Sequence, residues 1–157
     1  MTQLTVRTEG DCVIIVERRF AASPERVFQA HIDPELIKQW MLGPDGWTMP
    51  VCVSDARPGG KLRYEWTNGA GQGFYLTGEF VEIDPPRRLV HVERMHLPDP
   101  TPDNRVETTF SADGGGTLMV MHMTVPDAAT RTAMLATGMT DGMERGYERL
   151  EQMWQRL

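Results

Sequence analysis

His91 and Glu93 are the residues whose types and spacing best suit chemistry in this chain. They stand two apart in the run 87–96, which reads as a strand, so both project to the same side. An imidazole and a carboxylate placed that way polarise each other. Facing a protected interior, they would anchor a ligand hydroxyl or carbonyl, or serve as an acid/base pair for an aldol-type cyclisation. With the opposite parity, Val90 and Val92 would face inward and both polar groups would be solvated outside. The residues by themselves leave the two parities open.

Other reactive side chains lack a supporting pattern. His96 and His122 have no metal-ligand spacing, and neither an HxH nor an HExxH run occurs, so no metal is expected. His31 is assigned to the surface of a helix. No GxSxG elbow supports a hydrolase. Gly114-Gly115-Gly116 reads as a hairpin turn and not a phosphate cradle, because no helix follows it. Cys12 and Cys52 lie in apolar runs without a CxxC partner or an adjacent histidine, which favours a pair of buried, reduced thiols over a disulfide between them. No cofactor is implied, and a binding protein is favoured over an enzyme.

The bulk properties narrow the setting. The net charge is −6, and no cluster of Lys or Arg is longer than a pair, which argues against nucleic acid as a partner. The apolar run Val13 to Val16 is too short for a signal peptide or membrane span, so a cytoplasmic location is expected. With 157 residues, 40% of them hydrophobic, the chain fits one domain over residues 1–157.

The elements that must position these residues can be read in order. Asp11 to Phe20 is rich in Val and Ile and reads as a first strand. Ser23-Pro24 and Asp33-Pro34 are helix starts, each a capping side chain followed by a proline suited to the first turn. Val27, Phe28 and Ile32 supply the inner face of the first helix, with His31 as an alternative member of it; Leu36, Ile37 and Trp40 belong to the second, which Gly43-Pro44-Asp45-Gly46 ends. Six strands follow near residues 47–54, 61–67, 73–83, 87–96, 104–112 and 117–125, divided by short Pro and Gly turns such as Pro98-Asp99-Pro100. In Lys61 to Thr67 the residues Leu62, Tyr64 and Trp66 alternate with Lys61, Arg63 and Glu65, as in a sheet wet on one face.

After Pro126-Asp127 the pattern turns helical for about 28 residues, or about 40 Å if unbroken. Leu135, Met139, Gly142, Met143, Gly146, Leu150, Met153 and Leu157 share one face, while Glu144, Glu148, Glu151 and Gln155 point the other way. Gly138, Gly142 and Gly146 together would cost such a helix roughly 3 kcal/mol relative to alanine. Either something packs tightly against them or they leave room for a ligand; the spacing allows both. Met119, Met121 and Met123 alternate on one strand and, with Met139 and Met143, could form an adaptable apolar pocket lining or a methionine-filled core. Tyr64, Trp66, Phe80 and Phe110 are candidate aromatic walls, and Phe28, Trp40 and Trp47 either close the mouth of the pocket or pack the small helices onto the sheet, with packing favoured.

Several runs resemble one family. Ser23-Pro24-Glu25-Arg26-Val27-Phe28, Asp33-Pro34-Glu35-Leu36, Asp55-Ala56-Arg57-Pro58-Gly59-Gly60, Gly78-Glu79-Phe80-Val81-Glu82-Ile83-Asp84-Pro85-Pro86 and Gly142-Met143 through Gly146-Tyr147 are similar, in order, to the bacterial Hsp90-ATPase-activator-homologue-like proteins. These belong to the START/Bet v 1-like superfamily. The resemblance implies an α+β helix-grip fold: a curved antiparallel sheet of about seven strands wrapped around a long C-terminal helix, with two short helices after the first strand. It also implies a cavity for a small hydrophobic or aromatic ligand between sheet and helix. On that basis Leu89, His91, Glu93 and Met95 face the cavity, and Tyr64, Trp66, Phe80, Phe110, Met119, Met121, Met123, Met139, Gly142, Met143 and Gly146 line it. The family also carries polyketide cyclases or aromatases, for which His91 and Glu93 would be acid and base, and an association with Hsp90 and the stress response. A co-chaperone role is disfavoured, because the eukaryotic activators carry a second domain that is not seen here. Free sheet edges admit a homodimer.

Overall fold

The computed structural model describes residues 4–43, 45–97 and 99–155; Pro44, Pro98 and Leu157 of the assignments above lie outside them. An N-terminal hairpin of β1 (Thr5–Glu9) and β2 (Val13–Phe20) precedes α1 (Pro24–Ile32) and α2 (Pro34–Trp40). Strands β3 (Trp47–Ser54), β4 (Lys61–Asn68), β5 (Gly73–Asp84) and β6 (Arg88–Leu97) then form an antiparallel meander. After the two-residue β7 (Asp99–Pro100), β8 (Asn104–Asp113) and β9 (Gly116–Thr124) complete one sheet in the order β1-β2-β9-β8-β6-β5-β4-β3, with β7 beside β6. The helix-grip expectation holds. Two strands, β1 and β7, were not anticipated: β1 is exposed along its whole length and lacks an apolar face, and β7 is only two residues long.

The helix starts follow the sequence signals. Ser23 Oγ accepts from the Arg26 amide, and Asp33 Oδ1 accepts from the Glu35 amide at 2.9 Å. Asp127 caps α3 (Ala128–Leu135) in the same way, and the hydrogen bond from the Thr130 amide holds its carboxyl below the ordinary value. The main core lies where α1, α2 and α4 (Met139–Gln155) meet the sheet around Val27, Phe28, Ile37, Phe80, Phe110 and Leu150. A smaller cluster of Ile14, Val16, Val106, Met123 and Val125 packs under Met134 and Leu135 of α3.

The closing segment is not one continuous helix. Between α3 and α4, Gly138 adopts φ of 78°, the left-handed region that side chains with a Cβ rarely enter. Gly138 is therefore the corner between two helices, and the mid-helix penalty does not apply to it. Glu144 and Glu151 also depart from the helical-wheel reading, because both reach inward to Arg18.

The other two glycines divide between the two explanations. A Cβ on Gly146 would sit 2.9 Å from the Trp40 carbonyl oxygen and 3.3 Å from its ring, so close packing of α4 on α2 requires glycine there. A Cβ on Gly142 would meet only the Gly43 Cα, at 3.8 Å. The two alanine substitutions should have opposite signs. Gly146→Ala should destabilise by about 1–3 kcal/mol through overpacking, and Gly142→Ala should stabilise by up to about 1 kcal/mol through helix propensity. Urea unfolding of both variants checks this, and the same sign for both would contradict the packing described.

Candidate functional site

Between the inner face of the sheet and α4 lies a hollow of about 380 Å³. Strand alternation supplies its wall: Leu62, Tyr64 and Trp66 from β4, Leu76 and Phe80 from β5, Leu89, His91, Glu93 and Met95 from β6. Met121 and Met123 of β9 face Met139, Gly142 and Met143 of α4 across it. Trp40, Trp47 and Phe74 line it as well. Two of the indoles have their N–H groups occupied elsewhere, so they offer ring surface: Trp40 donates to the Ala30 carbonyl at 3.0 Å and Trp66 to the Met41 carbonyl at 2.8 Å. Trp66 and Phe74 stack with centroids 4.9 Å apart.

One part of this wall is polar. His91 Nε2 lies 2.7 Å from Glu93 Oε1, and the two side chains are 16% and 19% exposed. The inward parity is thus the one adopted on β6. Val90 is nevertheless fully buried on the opposite face. Its cross-strand partners there are Glu82 and Glu107, which Arg88 bridges, and their aliphatic stems can cover a valine without an apolar layer. An apolar residue at position 90 therefore did not report the inner face.

His31 was assigned to a helix surface, but it is 8% exposed and lines the hollow. Its Nδ1 lies 2.7 Å from the Val27 carbonyl oxygen, and its ring centroid lies 5.1 Å from those of Trp40 and Phe110. Burial pushes its pKa down from 6.5 to about 4; the Val27 hydrogen bond opposes that shift and nearby His91 adds to it. The signal was present, since His31 follows Val27 by four residues and Phe28 by three, on the same helix face.

Two candidates fall outside the hollow. Phe110 and Met119 are cross-strand partners on β8 and β9, and both are buried in the main core. Phe110 packs edge-on against Phe28 at 5.5 Å, so this end of the hairpin is covered by α1 and not by α4. Tyr147, Thr108 and Val106 line the hollow without having been singled out. Tyr147 is wedged between Phe20 and Trp40, and burial raises its hydroxyl pKa well above the usual value. Trp40 and Trp47 do both things expected of them as alternatives, packing on the core and lining the space.

Cys12 and Cys52 are free thiols as expected, but both are half-buried and not fully enclosed, and burial pushes the Cys52 thiol up to about 11. Among the described residues no cluster of three His, Cys, Asp or Glu side chains is placed to hold a metal ion. No helix among them is long and apolar enough to cross a membrane.

Known proteins share this architecture. A Rhodobacter sphaeroides protein of known crystal structure is 29% identical, with a TM-score of 0.90 and 99% of each chain covered. A Rhizobium leguminosarum protein is 27% identical, with a TM-score of 0.75, 98% of this chain and 100% of that one covered. An AHSA1-like protein of Aeromonas hydrophila is 22% identical with a TM-score of 0.74, covering 90% of this chain and 93% of its own, and speaks to the fold alone. No curated protein matches the sequence significantly. The family model for activator of Hsp90 ATPase homolog 1-like proteins matches residues 21–155, from the cap of α1 to the end of α4, and the chain belongs to that family.

Proposed function

We propose that this protein binds a small apolar or aromatic molecule between its sheet and α4. The observation that carries this reading is a hollow of about 380 Å³ walled by aromatic rings and thioethers, into which Gly142 projects no side chain. Water leaving those walls would drive binding, and the few polar groups would set orientation. The space suits a molecule of two or three fused rings. The His91–Glu93 contact also favours a second reading, acid/base turnover of the polyketide cyclase kind. That contact serves equally to orient a guest, so binding remains the simpler function.

The test is fluorescence titration with N-phenyl-1-naphthylamine, a neutral probe that brightens in apolar surroundings. The wild-type protein should give a saturable rise. Gly142→Phe, which places a ring where the backbone is now bare, should weaken binding roughly tenfold or more while the protein stays folded. A wild-type protein that leaves the probe dark would contradict the proposal.

A further inference from the structure

The polar part of the hollow holds two nitrogens that no described group satisfies, His31 Nε2 and His91 Nδ1. The chemistry of each is set by its ring partner. His31 Nδ1 faces the Val27 carbonyl oxygen, which can only accept, so Nδ1 carries the proton. Burial keeps that ring neutral, with a pKa of about 4, and Nε2 is therefore a bare lone pair. His91 repeats the arrangement on β6. Its Nε2 lies against Glu93 Oε1, which accepts, so a ring with one proton carries it on Nε2 and leaves Nδ1 as a second bare acceptor. Both residues line the hollow.

A buried acceptor without a partner is costly to the fold, and a guest that supplies the missing donor recovers that cost on binding. We infer that the hollow selects a guest with a hydroxyl on an apolar ring frame, the O–H donated to His31 Nε2 or His91 Nδ1. The assignment rests on the binding function proposed above and specifies its ligand class. An ether offers these nitrogens only another acceptor. A carboxylate adds a charge that must shed its water in an apolar space. Glu93, a carboxylate that lines the hollow, is of the same sign.

Calorimetric titration at neutral pH with naphthalene, 2-methoxynaphthalene, 2-naphthol and 2-naphthoate tests this on the intact chain. 2-Naphthol should bind about tenfold more tightly than naphthalene or the methyl ether, and 2-naphthoate should bind most weakly. In whichever of His31→Phe and His91→Phe removes the acceptor that the hydroxyl uses, and in the double variant, the advantage of 2-naphthol over naphthalene should collapse toward unity. Should either variant fail to fold, the four-ligand ranking on the wild-type protein still decides. Equal affinity for 2-naphthol and its methyl ether overturns the inference and leaves the binding function standing. So does 2-naphthoate matching 2-naphthol, since a ring would then have to take up a proton to receive it. Binding of none of the four sinks both.

Discussion

Arg18→Met should lower the unfolding free energy by about 3 kcal/mol, because it strands two carboxylates that are largely shielded from water. The Arg18 side chain is 2% exposed, while Glu144 and Glu151 are 17% and 20% exposed. Its guanidinium grips Glu144 through two hydrogen bonds, at 2.8 and 3.2 Å, and reaches Glu151 at 2.9 Å. It also lies over the Phe20 ring at 4.9 Å, so the charge is held from several sides. Burial works against that charge, but the hydrogen bonds and the field of the two glutamates outweigh it and raise the pKa above the ordinary value. The Leu4 amide donates to the same Glu144 oxygen, at 3.0 Å. One ion cluster therefore clamps α4 to β2 along the side of the sheet. Urea unfolding should show the loss, and the triple variant Arg18→Met, Glu144→Gln, Glu151→Gln should recover much of it by removing the stranded charges. A single variant as stable as wild type would mean that the clamp contributes nothing to the fold.

Acid should cost the wild-type protein about 3 kcal/mol through His31 alone. In the unfolded chain this imidazole takes up its proton near the ordinary value of 6.5, whereas in the fold it resists until about 4. The unfolded state therefore binds more protons between those values. Stability from the neutral ring is complete above pH 6.5, falls by about 1.4 kcal/mol per pH unit below it, and levels off under pH 4. His31→Phe retains an aromatic ring among Trp40, Phe110 and Tyr147 but has nothing to protonate. Its urea stability should therefore fall less steeply than wild type between about pH 7 and about pH 4.5. Parallel curves would show that His31 is protonated in the fold as readily as in the open chain.

The same ring shows why part of the site escaped the sequence reading. A histidine on a helix is ambiguous by type, and only its spacing from Val27 and Phe28 placed it inside. His91 and Glu93 were legible as a pair sharing one side, because strand geometry enforces that at two-residue separation. Which side they shared was not legible, since Val90 is equally buried beneath a layer of ion-paired stems. Phe110 and Met119 failed as wall residues for a related reason. Alternation placed them on the inner face, but α1 covers that end of β8 and β9.

Local rules settled the elements. Ser23, Asp33 and Asp127 cap the helices whose starts they signalled, and the Pro and Gly turns divide β3 to β6, β8 and β9 within a residue or two of their observed limits. These are short-range effects of backbone freedom and hydrogen bonding, which a few neighbouring residues determine. Glycine at 142 and 146 could be recognised as unusual, but not explained. Its meaning depends on what stands opposite: the Trp40 backbone at one position and almost nothing at the other. The hollow, the inward turn of His31 and the burial of Arg18 under two glutamates all arise where segments distant in sequence meet. The chain thus specified most of its strands and helices, and their order, by itself. Only their packing decided which side chains fill space and which leave it open, because burial is a property of the neighbours a residue acquires and not of its own type.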